Sequence, residues 1–454
     1  MSQNFQAMIE IFAIGGYDEV GKNMTMVRVD GEAVILDMGL HIESYVNYTE
    51  SREDITETSV KTLIKHNIVP DFSKVSQYSD EVKAIIPTHA HLDHLGAVPF
   101  LAKNFNAPVV CTPFTREVLL SIIKDDHFQF PNQVKTLNIN SKLKLTKNLS
   151  VEFINSTHST PQTVMVALHT KYGVVLYAND FKFDEFPTFG MKTNIEKLRK
   201  FSQSHKVVAL VVDSTYSNRE QKTPSESVAK EMLRDVMLGT DTRGRCVIVT
   251  TFSSHIARLK SIVEFGKQMR RRIVFLGRSL HKYVTAAENI NLINFSKDVK
   301  MVKYGKQIKR ELKIIEKEGK HKYLLVVTGH QGEPGSTLSK MASGVYKFSF
   351  SPEDFVIFSC TTIPTPINQE NRKVLEDKLH KFRVRIFKDI HVSGHASKED
   401  LRDLINLVKP RHIIPAHGDI RMRSGLFQLA AEMGYDTERF VHLLGNGQRI
   451  ELDT

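Results

Sequence analysis

The stretch Thr88-His89-Ala90-His91-Leu92-Asp93-His94-Leu95-Gly96 decides the reading of this chain. It packs four metal-capable side chains into six positions, directly after an apolar, strand-like run at Val82–Pro87. On a short loop the alternation lets His89 and His91 point to one side. Asp93 and His94 then open the next helix and reach towards a second ion from below. Neutral imidazole and carboxylate are ligands that zinc prefers, and a catalytic zinc keeps one position open for water. A polar turn that merely happens to be rich in histidine rarely carries this density.

Three further candidates repeat one placement, each at the end of an apolar strand pattern. His158 lies in S-T-H-S-T after Val151–Ile154, Asp180 in Y-A-N-D-F after Val174–Ala178, and His417 in P-A-H-G-D after Ile413–Ile414. Asp37, in V-I-L-D-M-G, is placed similarly. Any one of these alone reads as an ordinary structural polar residue. Together with the first run they read otherwise: His89, His91, Asp93, His94, His158, Asp180 and His417 supply ligands for two zinc ions.

At 454 residues the chain exceeds one ordinary hydrophobic core, so two or three domains are expected. The formal charge of +11 favours a polyanionic partner, most commonly nucleic acid. Cys111, Cys246 and Cys360 have neither disulfide-framework nor metal-site spacing, which suits a reducing compartment. Met1–Glu10 lacks a basic-then-apolar leader pattern, and runs such as Val207–Val212 are too short to span a membrane. A soluble cytoplasmic protein is therefore expected. Gly15, Gly16 and Gly21 lack the G-x-G-x-x-G spacing of a dinucleotide loop and predict a tight turn beneath the metal site. Basic clusters at Lys267–Arg272 and Lys306–Lys313 are placed to track a nucleic-acid backbone, although Lys306–Lys322 reads first as a solvated helix face.

The texture of the chain changes twice. Short β-branched runs separated by turns fill the first part: Ile9–Ile14, Thr25–Val29, Val34–Asp37, Lys83–Pro87, Pro108–Cys111, Leu149–Ile154, Thr163–His169 and Val174–Ala178. From Val207 strands alternate with helices, the first helix opening at Thr223-Pro224-Ser225 and running through Leu238. Cys246–Thr250, a helix from about Ser254 to Met269, Ile273–Leu276 and Tyr323–Val327 continue a parallel βα pattern. From Lys381 the first texture returns and ends in Leu443–Leu452. An inserted α/β domain at 211–380, between two parts of one domain at 1–210 and 381–454, is the organisation expected.

The order Asp37, H-x-H-x-D-H, His158, Asp180 resembles the metallo-β-lactamase superfamily. The resemblance implies an α/β fold, an αββα sandwich. In it His89, His91 and His158 hold one zinc, Asp93, His94 and the late His417 hold the other, and Asp180 bridges both. Asp37 stands behind them and orients the ligand loop. The insertion resembles the β-CASP domain of the nucleic-acid-cleaving branch, whose markers fall on Asp213 in V-V-D-S-T-Y, His395 in H-V-S-G-H-A, and His417. Gly15–Met24 (G-G-Y-D-E-V-G-K-N-M), Thr328–Pro334 (T-G-H-Q-G-E-P) and His391–Ala396 are similar to signatures of the ribonuclease J family. His330 departs from that pattern, where a small polar residue is common. The end at Thr454 resembles the short archaeal form.

That resemblance implies a zinc-dependent ribonuclease, with manganese or magnesium as possible supporting ions. It would be a 5′→3′ exoribonuclease preferring 5′-monophosphate ends of single-stranded RNA, acting in RNA decay and processing, as a homodimer without membrane association. His395 is the expected general acid, Asp213 its partner, and Asp93 the third catalytic residue. His391, Ser393, Gly394, Ser253 and Ser254 are expected to hold the 5′-phosphate, with Ser254 starting a helix whose free N–H groups suit an anion. The alternatives are an endoribonuclease of the polyadenylation-specificity-factor type and a non-catalytic RNA-binding subunit.

Overall fold

A computed structural model describes residues 9–50, 58–204, 206–363 and 365–453. The first eight residues, read above for a leader pattern, lie outside these. The chain divides into two compact units. One is split along the sequence into residues 1–185, 190–223 and 393–454, and the other comprises residues 186–189 and 224–392.

The split unit is built on two mixed sheets. The first has seven strands, in the order Gln448–Leu452, Ile9–Gly15, Met24–Val29, Glu32–Leu36, Val82–Ile86, Val109–Cys111, Val134–Thr136. The second has six: His412–Ala416, Val207–Asp213, Gly173–Ala178, Val164–Thr170, Ser150–Asn155, Lys142–Lys144. Side chains alternate across each strand. Val27, Val34, Leu36 and Ile86 from the first sheet therefore meet Phe153, Val166, Val175 and Val211 from the second in one buried core. The intervening Met26, Ile35 and Ile85 are equally buried. On the outer face of the second sheet, Leu176, Leu210 and Ile413 pack with Leu198, Leu404 and Leu426. Those three come from helices Ile195–Ser204, Lys398–Val408 and Ile420–Glu432. Sheets inside and helices outside give the αββα sandwich.

Strand direction explains where the candidate residues fall. Gly173–Ala178, Val207–Asp213 and His412–Ala416 are parallel neighbours, with Ala178 opposite Val212 and Asp213 opposite Ala416. Their C-terminal ends share one edge, and Asp180, Asp213 and His417 leave from it. Ser150–Asn155 is antiparallel to Val164–Thr170, which is antiparallel to Gly173–Ala178, so His158 follows a strand running the same way. In the first sheet Glu32–Leu36 and Val82–Ile86 are parallel, which brings Asp37 and His89 to a common end. Ligands at carboxyl ends of parallel strands are the usual outcome for α/β sheets.

The inserted unit is a six-stranded, wholly parallel sheet. Its order is Val299–Val302, Arg272–Leu276, Tyr323–Val327, Val247–Thr250, Phe355–Phe358, Arg385–Phe387. The apolar residues of the four inner strands are buried on both faces, as parallel sheets require, while the edge strands Val299–Val302 and Arg385–Phe387 are only partly buried. Two expectations shift at element ends. The last strand is Gln448–Leu452 and does not start at Leu443, because the Gly445–Gly447 turn precedes it. The helix expected from Ser254 spans Ile256–Gln268 and is capped by the His255 side chain, which accepts from Arg258 N–H.

Arg258 is completely buried, and all three of its guanidinium nitrogens are hydrogen-bonded. It pairs with Glu226 at 2.6 and 2.8 Å, and donates to Ser359 O and Oγ and to Ile390 O. Removing one partner of such a pair leaves an uncompensated charge and costs about 3–5 kcal/mol, whereas replacing both by apolar groups is often neutral. Arg258→Met is expected to lower the unfolding free energy read from urea denaturation by about 3–5 kcal/mol, with a lower urea midpoint, and Arg258→Met with Glu226→Leu to recover most of it. Equal midpoints for wild type and Arg258→Met would remove the pair from the account of stability.

Candidate metal centre

Among the described residues three groups of side chains in the split unit are close enough to share an ion each: His89, His91, His158 and Asp180; Asp93, His94 and His417; and, overlapping both, Asp180, His395 and His417. In the first group His91 Nδ1 lies 3.1 Å from His89 Nε2 and 3.2 Å from His158 Nε2. Asp180 Oδ2 lies 3.6 Å from His89 Nε2 and 3.3 Å from His158 Nε2. Two ligands held at about 2.1 Å in a tetrahedron sit about 3.4 Å apart, so these separations are the edges of a zinc-sized cage.

The hydrogen bonds behind the rings fix which nitrogen bears the proton. Thr88 Oγ1 donates to Asp37 Oδ1 at 2.9 Å, so its contact with His89 Nδ1 at 3.0 Å is accepted from the ring. His158 Nδ1 donates to the carbonyl of Gly394 at 2.8 Å. Nε2 of both rings is then a bare lone pair aimed at His91 Nδ1. Burial is the main cause that keeps these rings neutral, pushing His91 and His158 down to about 3 and His89 in the same direction. A cation placed between them would take a lone pair from His89 Nε2, from His158 Nε2 and, with His91 in its Nε2–H tautomer, from His91 Nδ1.

The second group is organised from behind by Asp37 and Asn23. Asp37, fully buried, accepts from His94 Nδ1 at 2.7 Å, Thr88 N at 2.7 Å and Tyr177 OH at 2.9 Å. This leaves His94 Nε2 facing Asp180 Oδ1 at 3.1 Å and Asp93 Oδ2 at 3.6 Å. Asn23 donates through Nδ2 to Asp93 O at 3.0 Å and accepts at Oδ1 from His417 Nδ1 at 2.9 Å. His417 Nε2 is thereby turned to Asp180 Oδ1 at 3.5 Å and Asp93 Oδ2 at 3.9 Å. Burial would keep His94 neutral, yet Asp180, Asp37 and Asp93 together push its pKa well above the ordinary value. Carboxylates in excess draw positive charge into the site. The donor set and its spacing thus fit metal ions.

The backbone is bent to make this possible. Asp37 (φ 59°), Asp180 (φ 42°) and His417 (φ 54°) all occupy the left-handed region. For non-glycine residues this is sparsely populated and typical of functional sites. Gly39 is obligatory in a different way: a Cβ there would fall 1.6 Å from the Asp93 carbonyl oxygen. The predicted Gly15–Gly21 turn lies against the same elements, and Gly16 O accepts the His417 N–H at 2.6 Å.

His395, 22 % exposed, stands beside the cluster with Nδ1 2.8 Å from Asp213 Oδ2 and Nε2 3.8 Å from Asp180 Oδ2. Burial disfavours its charged form, but Asp180 and Asp213 outweigh burial and raise it to about 10. Thr215 fixes the other Asp213 oxygen through its N–H at 2.8 Å and its hydroxyl at 2.5 Å. Tyr216 packs edge-on against the His395 ring, with centroids 5.8 Å apart.

The five residues expected to hold a phosphate fall in both units. In the split unit, Ser393 Oγ accepts from His395 N at 2.9 Å, and Gly394 presents its carbonyl to His158. In the inserted unit, Ser253 Oγ lies 3.0 Å from Ser279 Oγ, and His391 packs near Phe252 at 6.2 Å. Ser254 does not start the helix that was to present free N–H groups, since His255 holds the cap. Asn23, Thr88, Tyr177 and Thr215 were not singled out from sequence. All four sit inside motif stretches, Asn23 in G-G-Y-D-E-V-G-K-N-M, Thr88 in T-H-A-H-L-D-H-L-G, Tyr177 in Y-A-N-D-F and Thr215 in V-V-D-S-T-Y, but as ordinary polar residues whose contacts the pattern does not display.

Comparison with known proteins accords with this geometry. "Metallo-beta-lactamase superfamily" matches residues 17–201, "Ribonuclease J, beta-CASP domain" residues 243–377, and "Zn-dependent metallo-hydrolase RNA specificity domain" residues 381–439. Ribonuclease J of Methanocaldococcus jannaschii is 43% identical over 446 residues, covering 98% of this chain and 99% of that protein. Ribonuclease J of Pyrococcus abyssi is 40% identical over 447 residues, covering 98% and 97%. Ribonuclease J of Helicobacter pylori strain 26695 is 29% identical, covering all of this chain and 62% of that protein. A crystal structure of a protein of unknown function from Enterococcus faecalis V583 shares the fold, with a TM-score of 0.63 at 16% identity over 98% of this chain. On relatives at 40% identity and above that match it end to end, the chain belongs to the ribonuclease J family.

Proposed function

We propose that the two ligand groups hold two zinc ions and that the chain degrades single-stranded RNA from a 5′-monophosphate end in the 5′→3′ direction. Metal-dependent hydrolysis of RNA is the activity that the family assigns, and the observation that supports a working centre here is the His395–Asp213 pair beside a complete ligand set. In this reading the split unit is the metallo-β-lactamase domain and the inserted unit the β-CASP domain. The reading also makes the protein cytoplasmic and homodimeric. No helix among the described residues is long and apolar enough to cross a membrane.

When bound, the metal pair would lower the pKa of water towards neutrality and neutralise the non-bridging phosphate oxygens. Asp180 would bridge the ions, with His89, His91 and His158 on one and Asp93, His94 and His417 on the other. His395 would give the leaving 3′-oxygen its proton from Nε2, while Asp213 holds the imidazolium in orientation through Nδ1. Asp37 would keep His94 in the tautomer that offers Nε2. Ser393 and Gly394 of the split unit are proposed as phosphate-contacting residues, and so, separately, are His391, Ser253 and Ser254 of the inserted unit, Ser254 without the helix N-terminus first expected of it.

His395→Ala should retain both metals and lose turnover by about 10²–10⁴-fold, the usual contribution of a general acid. Metal analysis beside single-turnover rates checks this, and a zinc-loaded variant with normal turnover removes the assignment. Asp37→Asn should weaken metal affinity by about 10–100-fold in chelator competition, since partners behind a ligating histidine typically contribute that much. Unchanged affinity would mean that Asp37 only caps the loop. With 5′-labelled RNA, immediate release of labelled mononucleotide and slower decay of 5′-hydroxyl ends are expected. Internal fragments alone would favour the endonuclease reading.

A further inference from the structure

The inserted unit carries a basic surface that the metal chemistry does not use. Helix Gly305–Glu318 turns Ile308, Leu312 and Ile315 inward and places Lys306, Arg310, Lys313 and Lys317 outward, all exposed. These four recur at i, i+4, i+7 and i+11, which is one stripe on an α-helix, about 16 Å long. A solvated basic helix face ordinarily has its own acids as partners, and here they are taken elsewhere. Glu311 pairs with Lys300, Glu316 accepts from Ser349 N, and Glu318 binds Arg272 and Tyr323. Among the described residues none of the four stripe cations has an ion-pair partner. The neighbouring cluster at Lys267–Arg272 behaves differently: Lys267 is held by Asp298, Arg272 by Glu318, and Arg271 donates to three backbone carbonyls.

Further cations flank the stripe. Lys309 and Lys340 both lie over the Tyr346 ring, at 5.8 and 5.9 Å. At the helix start Tyr304 is 52% exposed, with Lys303 Nζ 5.2 Å from its ring. A row of unpaired cations ending at an exposed aromatic ring matches a backbone of phosphates carrying unpaired bases. Of the helix's apolar residues Ile308, Leu312 and Ile315 are buried and Ile314 alone is partly exposed, so it has no apolar face to insert into a lipid surface, which argues against a membrane as occupant.

We infer that the stripe Lys306–Arg310–Lys313–Lys317, with Tyr304, is a second binding surface for single-stranded RNA. The surface contains none of the metal-centre residues, and the choice of RNA as its polyanion rests on the proposed function. It would add affinity for long substrates without touching the reacting phosphodiester.

The test is K306Q/R310Q/K313Q/K317Q in the full chain. In a His395→Ala background that leaves RNA intact, the four substitutions should weaken binding of a long single-stranded RNA about tenfold or more at about 0.1 M salt. The slope of log affinity against log salt should fall by about 3, at roughly 0.7 for each phosphate that the variant no longer neutralises. In the otherwise wild-type chain, hydrolysis of a tetranucleotide should be unchanged, and K306R/K313R/K317R should bind long RNA normally. Unchanged RNA affinity and slope overturn the inference, as does a loss confined to anionic phosphatidylglycerol vesicles. A wild-type chain that bound RNA through the stripe but cleaved no RNA would sustain this inference and defeat the proposed function.

Discussion

Everything in the split unit serves one electrostatic constraint: seven donors must converge with their lone pairs and negative charges facing inward. Without compensation such a cluster repels itself. Asp180, buried and touching both groups, concentrates the problem, and its charge is retained because His94, His417 and His395 outweigh the burial that favours its neutral form. The arrangement is held from outside, where Asp37, Asn23, Thr88 and the Gly394 carbonyl each take the far side of an imidazole. Four of the five ligand rings, all but His91, are thus held in direction from behind before any ligand arrives, the preorganisation on which metal sites depend.

The fold supplies the positions for that shell. Parallel neighbours in the second sheet deliver Asp180, Asp213 and His417 to one edge, and a parallel pair in the first sheet delivers Asp37 and His89. Left-handed backbone at Asp37, Asp180 and His417 then turns the chain sharply just past the strand ends. Strain at these three points is tolerable because the strands on which they sit are among the most deeply buried in the molecule. Stability of the scaffold and geometry of the site are in this sense one property.

Much of this was legible in the sequence because it depends on local pattern. Strand runs such as Val174–Ala178 and Val207–Val212 announced themselves by β-branched composition, and the ligand candidates by residue type at strand ends. The inserted unit was visible as a change of texture at Val207, although its compact boundary falls at residue 224. What could not be read were the partners of the ligands. Thr88 and Tyr177 are common residues whose roles arise from pairings across 51 and 140 positions, and Thr215, only two residues from Asp213, gives no sign in its residue type that it holds that carboxylate. The helix cap failed for a comparable reason: serine is the usual cap, but the local turn gives that bond to His255. Pairings with residues distant in sequence, which the sequence does not display, also separate Lys267, Arg271 and Arg272 from the unpaired stripe on the next basic helix.

The central claim is that the cluster is a two-metal centre bridged by Asp180. Anomalous diffraction at the zinc edge from zinc-loaded crystals tests it most directly. The account predicts two peaks, one among His89, His91 and His158 and one among Asp93, His94 and His417, each within coordination distance of Asp180. A single peak, or two peaks of which either lies away from Asp180, would contradict it.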